Sequence, residues 1–206
     1  MNSNYKELTD KAYKYHSENN FAEAEKIYTD LLKSNPNDVN VLNLYGLLCL
    51  GTKRTQDAIN FLSKAFILKK NSYISSNLAK AYYMNNEPEK SIKIYKESLA
   101  LEVNDDIYYS LGIAYKATKQ YEKAIEAYKN ALKIKPNKYN AIYNLSVVYR
   151  DSGDINNAII YGEKCLELNK KDESLYTLLS GYYEEINDCF GIECLRFWND
   201  ILQKSV

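Results

Sequence analysis

Apolar residues return every three or four positions through most of the chain, as in Ile125, Tyr128 and Leu132, or Ile155, Ala158, Ile159 and Leu166. That spacing predicts amphipathic α-helices. Short polar turns such as Glu18–Asn20 and Asn85–Glu87 interrupt the pattern, and Pro88 stands where a helix begins, a position at which a missing backbone donor costs little. A longer period lies over the helical one. Ala24 recurs at Ala58, becomes serine at Ser91, and returns at Ala124 and Ala158, at spacings of 34, 33, 33 and 34 residues. A fixed period of this length predicts helix–turn–helix units stacked so that each buries its apolar face against its neighbours. Binding, rather than chemistry, is the function such an array implies.

The residues around each anchor recur as well. Asp105 to Asn137 holds Tyr108, Leu111, Gly112 and Tyr115, then Tyr121, Ala124, Tyr128 and Ala131, and ends on Pro136. Other units repeat this with Ala12, Tyr15, Phe21, Ala24, Tyr28 and Pro36; with Tyr45, Gly46, Ala58, Leu62 and Ala65; and with Leu78, Ala79, Tyr82, Ser91, Tyr95 and Ser98. A fifth has Leu145, Ser146, Tyr149, Ala158 and Cys165, with Gly162 where a large aromatic is usual. A degenerate sixth carries Tyr176, Leu179, Ser180 and Tyr183, then Cys194 and Trp198 after two extra residues. These units resemble the tetratricopeptide repeat. The resemblance implies an all-α fold, a right-handed α-solenoid of about six helix–turn–helix units and twelve helices. It would be a single superhelical domain over 1–206, with units near 5–38, 39–71, 72–104, 105–138, 139–172 and 173–206.

Composition changes that picture little. Seven glycines and three prolines give strand-and-turn architectures poor support. The 27 basic residues balance 27 acidic ones, so there is no global attraction to a polyanion, and neither nucleic acid nor membrane insertion is expected. Lysine, asparagine and tyrosine abundance is ascribed to A/T-rich codons. The N-terminus lacks the basic and apolar regions of a signal peptide, and no run of about 18 apolar residues is present. With Cys49 and Cys165 at packing positions, these features predict buried thiols in a cytoplasmic protein.

Candidate chemistry is sparse. His16 is the single histidine, read as a solvated or groove residue, and no Gly-rich phosphate loop occurs. The chain is therefore expected to be non-enzymatic, with no catalytic residues, cofactor or metal. Twelve of the 21 tyrosines fall on repeat-signature positions and are assigned to packing. The resemblance implies that the second, fifth, ninth and twelfth positions of each first helix line a concave face. Those positions bring Tyr13, Asn40, Asn43, Tyr73, Lys80, Tyr83, Tyr109, Lys116, Asn140, Tyr143 and Arg150 to one groove. Five of the nine remaining tyrosines lie there. Tyrosine gives large contact area at low entropic cost, and asparagine can bond an exposed peptide backbone. Lys80, Lys116 and Arg150 point to an acidic or C-terminal carboxylate ligand, although scattered cations on a helix face are ordinarily just solvated.

Two family-specific patterns refine the expectation. Chaperone-binding tetratricopeptide domains clamp a terminal carboxylate with lysines, asparagines and an arginine, whereas this chain has Thr9, Tyr13, Leu44, Tyr73 and Asn77 at the matching positions. That clamp is not expected. The inward asparagine ladder of O-GlcNAc transferase repeats is met only by Asn77 and Asn144. The last helix carries Leu195, Trp198 and Leu202 with Cys194, Phe197 and Ile201 beside them, more apolar surface than one neighbour covers. The sequence thus predicts a scaffold binding a protein or peptide segment in a Tyr/Asn-rich groove. Alternatives are a targeting array for an enzyme on another chain or on a missing downstream domain, and a homodimer formed through Phe197, Trp198 and Ile201.

Overall fold

The computed structural model describes residues 3–187 and 191–193. Eleven helices are defined among them, paired as antiparallel hairpins: α1 (Ser3–Ser17) with α2 (Phe21–Ser34), α3 (Val39–Gly51) with α4 (Thr55–Leu68), and α5 (Ser72–Met84) with α6 (Pro88–Leu101). Next come α7 (Asp105–Ala117) with α8 (Tyr121–Ile134), α9 (Tyr139–Asp151) with α10 (Ile155–Leu168), and α11 (Glu173–Glu185). The fold is an all-α solenoid of helical hairpins. Two compact units can be described separately, Met1–Val103 and Asn104–Val206.

The turns inside the hairpins share one backbone device. Asn19, Lys53, Asn86, Lys119, Gly153 and Asn187 all have positive φ, between 56° and 88°. In the first five of these turns the residue that follows donates back five positions at 2.8 or 2.9 Å, as from Asn20 to Tyr15, Arg54 to Cys49 and Gln120 to Tyr115. This left-handed closure satisfies the last carbonyls of the first helix and reverses the chain within three residues. Asparagine tolerates the region, which explains the Asn-rich turns seen in the sequence. Between hairpins, side chains cap the incoming helix: Asp38, Asn71, Asn104 and Asp172 accept from backbone N–H groups two or three residues ahead.

Small residues set how closely the helices approach. A Cβ on Gly46 would meet Leu62 Cγ at 2.5 Å, and one on Gly112 would meet Tyr128 Cε1 at 2.5 Å. Gly162 is the informative exception. The aromatic missing from its position is replaced from outside the hairpin by Leu179 of α11, whose Cδ2 lies 2.6 Å from where a Cβ would sit. Tyr161, one residue earlier, stacks on Tyr149 with centroids 5.4 Å apart. In the first unit Arg54 forms a bidentate pair with Glu25 at 2.7 and 3.0 Å, and the Tyr45 hydroxyl donates to the same carboxylate at 2.8 Å. Cys49 and Cys165 are fully buried, and burial pushes their thiols up to about 11 and about 12.

Candidate functional site

In the first unit the first helices of the hairpins, α1, α3 and α5, form one face. Helical periodicity turns Tyr13 of α1 and positions two and twelve of α5 outward, leaving Tyr13 57%, Tyr73 59% and Tyr83 37% exposed. Asn40 and Lys80 are exposed beside them, and Lys80 makes no ion pair among the described residues. Asn43 departs from the expectation of an accessible contact. It is 3% exposed, and its carbonyl oxygen accepts from Asn77 Nδ2 at 2.9 Å, because α3 lies in the middle of the unit and α5 closes over it. The N-terminal ends of α3 and α5, with the segments that lead into them, enclose a surface cleft of about 450 Å³.

The second unit builds its face differently. The Tyr109 hydroxyl accepts from Asn144 Nδ2 at 3.1 Å, its ring lies 5.9 Å from Tyr128, and Lys138 Nζ sits 5.3 Å above the ring. Tyr143 is also half-buried, whereas Asn140 is exposed. Asn77 and Asn144 hold equivalent positions, each donating to position five of the preceding hairpin. They are the residues that the partial asparagine pattern marks, and they bind hairpin to hairpin. Lys116 pairs with Asp151 at 3.6 Å, and Arg150 with Glu185 at 3.0 Å. Both cations thus meet a carboxylate 35 residues further on, so part of their charge is already balanced within the protein. A second cleft, about 290 Å³, opens between α9 and α11 over Val147, Leu178 and Gly181.

One edge of these faces was not foreseen. The first residue of a first helix meets the cap of the next: Tyr139 donates to Asp172, and Lys138 bonds Asp105 at 2.7 Å and also Asp106. In the first unit burial, with the Asp38 carboxylate alongside, pushes the Tyr5 phenol up to about 12. Burial and then Asp172 raise the Tyr139 phenol likewise, while bonds from Ser174 and Tyr139 hold Asp172 low. Burial works against the charge of Lys138, but its bonds to Asp105 and Asp106 outweigh that and raise its pKa. The sequence signal for this edge is the polar residue that recurs ahead of the first helices, at Asp38, Asn71, Asn104 and Asp172.

His16 is not a solvated residue. Its ring packs edge-on against Phe21 at 5.9 Å and Tyr28 at 6.5 Å, and burial lowers its pKa. A histidine held neutral by folding leaves the unfolded chain binding more protons below the ordinary value of about 6.5. Stability is therefore expected to fall as pH drops from about 6.5 through the lowered native value, then level off. Thermal melts of the wild type and of His16→Phe between pH 7.5 and 5 check this. The variant should lose part of the acid sensitivity, and identical profiles would refute the assignment.

Among the described residues, no three His, Cys, Asp or Glu side chains gather to hold a metal, and no helix is long and apolar enough to cross a membrane. Phe197, Trp198 and Ile201, predicted for self-association, lie outside the described residues, as do Cys189 and Cys194.

Tetratricopeptide repeat models match residues 10–72, 106–138 and 139–172. A crystal structure of MamA is 30% identical, aligned over 79% of this chain and 96% of that one, with a TM-score of 0.73. The type IV pilus biogenesis factor PilW shares the fold at 17% identity, over 95% and 91% of the two chains, with a TM-score of 0.83. YrrB, a tetratricopeptide protein with an unusual peptide-binding site, aligns at 16% identity over 82% and 87%, with a TM-score of 0.71. Hairpin turns in register, small residues at each helix approach and these matches together establish that the chain belongs to the tetratricopeptide repeat family.

Proposed function

We propose that this protein is an interaction scaffold whose first-helix faces grip a segment of a partner protein. Membership of the repeat family supports the scaffold role in general. The choice of face rests on one observation, the exposure of Tyr73 and Tyr83 on the same helix, with no hydrogen bond of either side chain among the described residues. Large aromatic groups left without a partner on a structured surface are the residues that most often anchor a ligand. The peptide-binding site of YrrB, on the same fold, is a parallel for this use of the array.

The variant that tests the idea must spare the packing between hairpins. Tyr109 already bonds Asn144 and packs on Tyr128, so its removal would disturb folding as well as binding. Tyr73→Ala with Tyr83→Ala avoids this. The tagged full chain, purified from its native extract, should retain its helicity and melting temperature in the double variant while losing a co-purifying partner. Two anchors of ordinary strength are worth about 2 kcal/mol each, roughly 30-fold in Kd apiece. Undiminished capture would place the binding surface elsewhere.

A further inference from the structure

The cleft at the N-terminal ends of α3 and α5 carries a chemistry that the tyrosines alone do not specify. Asn35, Asn37 and Asn40 line it, and their carboxamides make no hydrogen bond among the described residues. Asn71 uses its oxygen to cap α5, accepting from the Ile74 amide at 2.7 Å, so its NH2 group remains free to donate. Tyr73 borders the same space. Each free carboxamide offers two donors and an acceptor, the complement of an extended backbone that presents N–H and C=O groups together.

Charge narrows the occupant further. The lining holds one cation, Lys69, and one carboxylate, Asp38. Asp38 is 8% exposed and is engaged by the Val41 amide at 3.0 Å, so its negative charge is a fixed part of the wall. A ligand carboxylate would be placed against it. A ligand cation would instead meet Lys69 and the positive ends of two helices. Neither sign is favoured, and the volume lies within the ~300–1,000 Å³ of ordinary ligand clefts.

We infer that this cleft binds an uncharged stretch of extended polypeptide, internal to its partner, by pairing the backbone with Asn35, Asn37, Asn40 and Asn71 beside the Tyr73 ring. This deepens the groove reading and rests on it. The test uses two random twelve-residue display libraries against the immobilised full chain, one with both ends fused to linker and one with a free C-terminus. Enriched sequences are then made as acetylated, amidated peptides and measured by fluorescence anisotropy. Peptides poor in Asp, Glu, Lys and Arg should emerge from the doubly fused library. Their affinity should fall at least tenfold in Asn37→Ala with Asn40→Ala, two exposed positions whose removal breaks no internal bond, with folding checked by circular dichroism.

Glu122→Ala with Glu126→Ala, exposed on α8 and away from the first-helix faces, should leave that affinity unchanged. Enrichment confined to acidic peptides or to free C-termini would overturn the inference. So would peptides lost in Asn140→Ala with Arg150→Ala, on the face of the other unit, but kept in the Asn37/Asn40 variant, although the groove reading would survive that result. Failure of both libraries to enrich any sequence would overturn the two together.

Discussion

Gly112→Val is expected to lower the melting temperature of the second unit by about 10 °C or more. A single Cβ at this position would already meet three ring carbons of Tyr128, Cε1, Cδ1 and Cζ, at 2.5, 2.7 and 2.9 Å. These are not the free end of a flexible side chain. Tyr128 is fully buried, so its ring has nowhere to move and the two helices must separate instead. Overpacking of this kind costs about 1–3 kcal/mol, and valine, branched at Cβ, belongs at the upper end. In a unit of about 100 residues each kcal/mol corresponds to roughly 4–8 °C. Gly181→Ala supplies the control, because nothing among the described residues lies within 4 Å of its added carbon. It should be neutral or slightly stabilising, as expected when alanine replaces glycine inside a helix. Equal melting temperatures for Gly112→Val and Gly181→Ala would show that the close approach is not as described.

Tyr28 separates packing from hydrogen bonding in the first unit. Its side chain is fully buried between the rings of His16 and Tyr45, yet its hydroxyl finds no hydrogen-bond partner among the described residues. Burial alone raises the phenol pKa well above its ordinary value, with Tyr13 adding to the effect. Tyr28→Ala should therefore cost about 4 kcal/mol, the usual loss when a large core aromatic is truncated. Tyr28→Phe should cost nothing, or gain about 1 kcal/mol by removing a polar group that burial strips of water. Chemical denaturation of the two variants decides the matter. A loss above ~1 kcal/mol in the phenylalanine variant would mean that the hydroxyl is satisfied after all.

The hairpins were legible in the sequence for a physical reason. Where each unit solves the same packing problem, small residues must recur at the helix approach and a turn must recur after each first helix. Gly112 and Ala124 carry that information by themselves. Gly162 does not, because the compensating atoms come from Leu179, in the next hairpin, and no reading confined to one unit could supply them. The candidate site divides along the same line. Exposure of Tyr13, Tyr73 and Tyr83 follows from the period of a single helix. The burial of Asn43, and the pairing of Lys116 and Arg150 with Asp151 and Glu185, depend on how one first helix lies against the next. A charge inventory along the chain sees three cations. Stacking turns two of them into halves of ion pairs, which the inventory alone does not show.

The bonds spaced about one repeat apart also guard the order in which the hairpins assemble. Tandem units with near-identical cores are exposed to slippage during folding, since a hairpin can dock one place too early and still bury its apolar face. In the second unit the correct order sets Lys138 beside Asp105 and Asn144 beside the Tyr109 hydroxyl. Skipping one hairpin would put Asp172 where Lys138 belongs, a carboxylate against a carboxylate, and Leu178 opposite a phenol that needs a donor. The apolar positions make the repeats interchangeable, and these few polar pairs remove that freedom. They serve as addresses, distinguishing the native sequence of stacking from its shortened copies at little cost in surface or solubility.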